Sequence, residues 1–504
     1  MTSSVDPRRS IGCGLPVMTL AAALSATACA VGPDFKRPDA PQATAYTAEP
    51  LPQKTTASPG PSGVPQVLRN GAELPAQWWT LFRSPKLDAL VQQALAASPD
   101  VASAQAALRQ AHENYLAQQG GLFPQFDGNG GATRQKISGA SFGAPGQNSI
   151  YSLFNATVNV SYTLDVWGGV RRGVEAQAAQ DEYQRFQLEG TYLTLTSNVV
   201  TAAIQEASLR GQIEATQQII DADRRQLEVV RRQFDLGGVS KLDVLVEQTQ
   251  LANEQALLPS LQKQLLQNRD QLAVLLGQTP GQGLDAQFTL ADLQLPAELP
   301  LSLPSKLVEQ RPDVRAQEAQ LHAASAQIGV ATANMLPQIT ISGQYGGTTT
   351  NFGDLLHSGS NVWSIGAGVT QPLFHGGELL HKKRAAVAAY DQAAAQYRGT
   401  VLNAFRDVAQ ALHALQADAD ALQAQDAAAK AASESLRLSR ARFASGSISS
   451  LDLLVAQRSD LQARISLLQA QAARYADSAA LFQALGGGWW NRGGDGAATR
   501  AAAP

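Results

Sequence analysis

Cysteine is almost missing from this chain of 504 residues, which has only Cys13 and Cys29. That excludes a disulfide-stapled scaffold. Charge of one sign is missing too. A formal net charge of −3 supplies no basic field for a nucleic-acid partner. Aromatic residues are few, at 6%, whereas Ala and Gln abound, as in long helices joined along narrow seams. Beyond the N-terminal segment, no stretch approaches the ~20 apolar residues of a membrane-spanning helix. If the mature chain crosses a membrane, it must do so with strands. His112, His322, His357, His375, His381 and His413 show no metal-ligand spacing. There is no phosphate-binding P-loop and no nucleophile elbow. No cofactor, metal or catalytic residue is expected, the chain does not read as an enzyme, and any energy it uses must come from a partner.

The N-terminus reads as a targeting signal, residues 1–28. Arg8-Arg9 provide the basic region, and the apolar, small-residue run Ile11 to Ala28 leads to Leu24-Ser25-Ala26-Thr27-Ala28-Cys29. This ending resembles a bacterial lipoprotein box, with Ala26 where Leu is usual. The resemblance makes Cys29 the acylated first residue, and Ala30 in place of Asp directs it to the outer membrane. Several acyl chains anchor stably where one does not.

An internal repeat organises the rest. Ser98-Pro99-Asp100-Val101 returns as Arg311-Pro312-Asp313-Val314, Leu122-Phe123-Pro124-Gln125 as Met335-Leu336-Pro337-Gln338, and Leu275-Leu276-Gly277 as Ala484-Leu485-Gly486. The boundaries follow: an extended Pro-rich segment 29–85, a first repeat 86–280, a linker 281–303, a second repeat 304–487, and a Gly- and Ala-rich tail 488–504 expected to be disordered. Within each repeat two runs alternate apolar and small polar residues, as in Asn155-Ala156-Thr157-Val158-Asn159-Val160-Ser161-Tyr162. The spacing predicts strands near 126–136, 151–167, 338–350 and 361–374, at lengths suited to a membrane barrel with a wet interior. Proline is then absent from Arg171 to Phe234 and from Lys382 to Phe443, enough for helices of roughly 90–100 Å. Tyr192, Val199, Ile213, Ile220, Leu227 and Phe234 keep a seven-residue register interrupted by Glu206, and Val401, Val408, Leu415, Leu422, Ala429, Leu436 and Phe443 keep another. A sustained heptad implies a left-handed supercoil.

Each long run ends in a tip. Gly237-Gly238-Val239-Ser240 precedes Asp243, and Gly446-Ser447-Ile448-Ser449 precedes Asp452. Gly237 and Gly446 suit the left-handed end of a helix. Ser240 with Asp243, and Ser449 with Asp452, read as capping boxes that start the returning helix. Local capping alone would account for both aspartates, through the helix dipole. Four strands cannot close a barrel, and an open edge in lipid is costly. Two copies would give a filled barrel, and three a barrel with a lumen.

With these blocks assembled, the chain resembles the TolC-like outer-membrane efflux proteins, in the lipoprotein branch called NodT-like or OprM-like. The resemblance runs through Gly32-Pro33-Asp34-Phe35-Lys36-Arg37-Pro38, through Trp78-Trp79 with Phe82 and Pro85, and through Arg311-Pro312-Asp313-Val314. It continues in Tyr397-Arg398 with Val401 to Phe405 and in Leu485-Gly486-Gly487-Gly488-Trp489. It implies an α+β protomer giving four strands and long helices. Three protomers close as a twelve-stranded membrane β-barrel above a coiled-coil helical tunnel in the periplasm. It also implies an outer-membrane exit duct for small molecules, partnered by a periplasmic membrane-fusion adaptor and an inner-membrane RND-type pump, and gated by the helix tips. The tip residues Gly237, Gly238, Val239, Ser240, Gly446, Ser447, Ile448 and Ser449 are expected to dock the adaptor, and by the same resemblance Asp452 lies at an acidic gate ring. Val455 stands where a second acidic ring occurs in relatives, and Arg458 matches a basic gate position. Asp243 matches an aspartate that relatives brace with Tyr and Arg, but Phe443 and Ile448 stand in those places, so the closing contact must differ. Two other functions fit parts of the sequence: a duct for protein secretion, and a non-conducting coiled-coil scaffold, which the alternating strands oppose.

Overall fold

The structure, a computed structural model, describes residues 30–492 apart from 139, 141, 142, 144, 145 and 147. The signal segment, Cys29 and residues 493–504 of the tail lie outside the described residues, whereas residues 488–492, expected to be disordered with the tail, are held in place, the Trp489 indole donating to the Gln310 carbonyl at 2.7 Å. In chain order the elements are β1 (Val67–Asn70), α1 (Pro85–Ala97), α2 (Pro99–Gly120), β2 (Gln125–Ile137), β3 (Ser149–Leu164), α3 (Gly169–Asp235) and α4 (Lys241–Leu275). Then follow β4 (Glu298–Leu301), α5 (Pro304–Gln310), α6 (Pro312–Ala333), β5 (Gln338–Thr349), β6 (Asn361–Thr370), α7 (Glu378–Ala444) and α8 (Ser450–Ala484). The order repeats itself: helix, helix, two strands, a long helix and a shorter return.

The chain divides into two compact units. One comprises the described residues of 109–183 and 318–396 together with residues 30–37. It holds an antiparallel sheet in the order β2-β3-β5-β6. Its register places Val158 opposite Tyr345 and Tyr345 opposite Trp363, while Tyr162, Ile341 and Ala367 form a second row. Because side chains alternate between faces, Phe126, Val158, Val160, Tyr345, Trp363, Ile365 and Val369 share one face, and Asn129, Asn159, Ser161, Gln344 and Ser364 share the other. The apolar face is exposed, with Trp363 at 73% and Ile365 at 79%. Two expected strands are shorter than their patterns. β3 stops at Leu164 because Asp165 turns to cap α3, accepting from the backbone N–H groups of Val170 at 2.9 Å and Arg171 at 3.0 Å. β6 stops at Thr370, just before Pro372, which has no N–H to give to a ladder. In the same unit the motif around Asp34 is fastened by side chains. Arg172 reaches Asp34 at 2.6 Å and Glu175 at 2.7 Å, His322 meets Glu175 at 2.9 Å, and the His322 ring stacks on Phe35 at 4.3 Å.

The other unit comprises 38–108, 184–317 and the chain from Tyr397 onward. It contains a short parallel pairing of β1 with β4. Its core gathers Trp78, Phe82, Leu87, Val91, Val199, Leu307, Tyr475 and Phe482, so the tryptophan block and the ends of both repeats meet in one place. Arg311 holds Asp313 at 2.7 Å and Asp407 at 3.2 Å, and also donates to the Ala484 carbonyl. Both α3 and α7 run for 67 residues, about 100 Å each. Both α4 and α8 run for 35 residues, about 50 Å. Every member of the register from Val401 to Phe443 on α7 is buried. On α3 the register fails at its last member. Val230 is buried and Phe234 is 38% exposed, lying near the Lys241 ammonium at 5.5 Å. Phe234 lies in the last turn of α3, one residue before its end at Asp235.

Candidate functional site at the helix tips

Both tips are closed by the same local chemistry. At the end of α3, Gly237 has φ 71°, its N–H donates to the Phe234 carbonyl at 2.9 Å, and the Gly238 N–H donates to Gln233 at 2.7 Å. At the end of α7, Gly446 has φ 72°, with the equivalent bonds to Phe443 at 3.0 Å and from Ser447 to Arg442 at 2.9 Å. These are Schellman caps, which need a left-handed residue that glycine adopts without strain. Ser240 and Ser449 then cap α4 and α8 in complete capping boxes with Asp243 and Asp452. Val239 and Ile448, the residues before the caps, pack with Val244 and Leu453 in the apolar cluster beneath the tips, the hydrophobic-staple arrangement.

The cluster joins all four helices. Leu227 and Val230 of α3, Val244 of α4, Leu436 and Phe443 of α7, and Leu453 and Ala456 of α8 form it. Phe443 is therefore a packed member of this cluster. Between the tips lies a cavity of about 630 Å³, lined on one side by Gly237, Gly238, Val239 and Ser240, and on the other by Gly446, Ile448 and Ser449. Ser447 is exposed and bonds to Ser445 at 2.8 Å.

The two aspartates part company here. Asp452 is exposed and accepts from the Ser449 hydroxyl at 2.7 Å and the Ser449 N–H at 3.1 Å. Those bonds hold its carboxyl below the usual range. Asp243 makes the matching cap with Ser240, and its second oxygen accepts the hydroxyl of Ser450 from the opposite tip. The Ser450 bond, then those from Ser240, depress its pKa. A depressed carboxyl keeps its bonds above its ordinary pKa of 3.8 and loses them as the pH falls through the depressed value. Two more bonds link the hairpins. Arg458 donates to the Gln250 side chain at 3.0 Å, and Gln457 donates to Asp223 at 3.1 Å. Arg440 lies 3.8 Å from Asp223. Val455 is 59% exposed. Ser450, Gln457, Gln250 and Asp223 were not singled out from the sequence. Ser450 adjoins a recognisable cap, but a partner 207 residues away leaves no local signal. No His, Cys, Asp and Glu group among the described residues could hold a metal ion.

A sheet with an exposed band of Phe126, Val158, Val160, Tyr345, Trp363, Ile365 and Val369 on one face and unpaired outer strands, in a chain with helices far longer than a bilayer is thick, defines a subunit of an oligomeric outer-membrane channel. The family model of the outer membrane efflux proteins matches residues 90–278 and 303–487, and the chain belongs to that family. It is similar to the pyoverdine export outer membrane protein OpmQ of Pseudomonas aeruginosa, 32% identical over 82% of this chain and 87% of that protein. It is also similar to the probable efflux pump outer membrane protein TtgC of Pseudomonas putida, 28% identical over 92% of this chain and 94% of that one. The solved outer-membrane channel OprN superposes with a TM-score of 0.83 at 27% identity, covering 92% of this chain and all of that one. The chain is thus an efflux channel of the Gram-negative outer membrane, with a helical tunnel in the periplasm, and acts in trimers within a tripartite pump.

Proposed function

We propose that this channel is the passive exit duct for small molecules handed over by an RND-type inner-membrane pump and its periplasmic adaptor, and that its six tips surround one periplasmic mouth. The observation that carries this reading is the pair of bonds between hairpins at the tips, Ser450 to Asp243 and Arg458 to Gln250. They tie the second hairpin to the first where a mouth would have to widen. Asp452, exposed at its tip, contributes a carboxylate ring in the trimer, Arg458 supplies the basic gate position, and Val455 leaves that ring single. Cys29 carries the lipid anchor. Export by the similar proteins OpmQ and TtgC favours small-molecule cargo over secreted protein.

In this reading the adaptor seats on Gly237, Gly238, Val239 and Ser240 and on Gly446, Ser447, Ile448 and Ser449. A Cβ on Gly446 would meet no atom within 4 Å, but its φ of 72° strains any other residue, so exposed Ser447 beside it is the site where a bulky side chain leaves the cap intact. Ser447→Trp is expected to abolish drug efflux in cells while trimers persist in the membrane. Normal resistance with this variant would contradict the docking site.

A further inference from the structure

One helical turn inward from the apolar cluster, the four helices form a polar layer. Asp223 lies four residues before Leu227, Glu247 three after Val244, Glu254 three after Leu251, and Gln457 four after Leu453. Asp223 is fully buried, and Glu247, Glu254 and Gln457 are each 1% exposed. Three carboxyl groups thus share one buried layer, and few donors reach it. Gln457 donates to Asp223 and Gln250 to Glu254. Neither oxygen of Glu247 receives a hydrogen bond of good geometry.

The charged groups facing the layer come from every helix around it. Helix α3 gives Asp223, α4 gives the two glutamates, and α7 gives Arg440, whose side chain is 40% exposed and 3.8 Å from Asp223. On α8, Arg458 is bound to Gln250, and buried Asp460 is paired with Arg464 at 2.9 Å. One partly solvated cation cannot balance three buried carboxylates, and each unbalanced charge in such a place is costly.

We propose that Asp223, Glu247 and Glu254 form a proton-operated clasp: with protons bound they let the hairpin of α7 and α8 pack against that of α3 and α4, and when the protons leave, the cost of keeping bare carboxylates out of water parts the two. Burial, then the neighbouring Asp223, pushes Glu254 up to about 9, and the same two causes push Glu247 up to about 7. Burial also raises Asp223, against the opposing influence of Glu254 and Arg440. The sign follows from linkage. Parted hairpins expose the glutamates and return them toward their ordinary 4.5, so the packed form binds more protons. Its advantage is complete below that value and is lost as the pH rises to about 9. The clasp does not depend on the exit-duct reading. Only its consequence for a mouth does.

The test uses the full-length trimer with nitroxides at exposed Leu236 and Ser447, mixed with excess unlabelled subunits so that only distances within a protomer are read. Dipolar spectroscopy is expected to give one short distance in mild acid and a growing long or broadened component as the pH rises toward 9. A variant carrying both Glu247→Gln and Glu254→Gln is expected to keep the short distance throughout. A pH-independent distance in the native protein would overturn the clasp, and so would an equal shift in the double variant. Because the distance is read directly, a protein that failed to conduct would count against the duct and not against the clasp.

Discussion

Asp243 and Asp452 occupy the same place in two copies of one motif, yet they have different neighbours. Both accept bonds from their own cap serine, and only Asp243 receives Ser450 from across the tips. The capping role was legible from S-x-x-D spacing, since a cap is made within four residues of sequence. The cross-tip bond was not. It needs two hairpins folded against each other, and Ser450 alone looks like an ordinary first-turn serine. Glu254 was hidden for a related reason. In Asn253-Glu254-Gln255 it reads as a solvated helical residue, and only packing by the other helices buries it. For the exposed carboxylate the expectation concerns current rather than stability: Asp452→Ala should lower cation preference and change single-channel conductance in planar bilayers. Unchanged conductance and selectivity would leave Asp452 as a cap only.

Helices and strands were more legible than their partners because both rest on periodicity. The seven-residue register of α7 needed no correction, and each of its members from Val401 to Phe443 is buried. The same pattern misplaced Phe234, because spacing marks a stripe and cannot say that its last member, in the final turn of α3, is left uncovered. Strand ends overshot for want of a tertiary cue, as in Asp165, whose capping bonds to α3 are invisible in an alternating run. The closing turns of the repeats gave the clearest element-level signal. Gly486, after α8, has φ 94°, and a Cβ there would lie 2.5 Å from the Gln310 carbonyl oxygen. Strain and collision act together, so Gly486→Ala should destabilise the protein by more than ~1 kcal/mol. Thermal melting of the detergent-solubilised trimer checks this, and an unchanged midpoint would show that the turn relaxes freely.

For the whole molecule, fold class was readable because two incompatible demands occur in one chain. Its alternating strands want lipid on one face and water on the other, and its very long helices want a supercoiled seam. The sheet order β2-β3-β5-β6 leaves β2 and β6 as outer strands, each with backbone groups to pair. Trimerisation answers that need, and in the proposed duct it brings six tips to one opening. Nothing in the sequence alone could say what would keep that opening narrow, because Phe443 and Ile448 stand where the resembled relatives have their bracing Tyr and Arg. The bond from Ser450 to Asp243 supplies a contact in their place. Single-channel recording of purified trimers, native beside Ser450→Ala, tests this most directly. The account predicts a small native conductance and a clearly larger one in the variant, with trimers intact. Equal conductances would remove the tip bond from the gate, and the absence of any channel from either protein would contradict the exit duct itself.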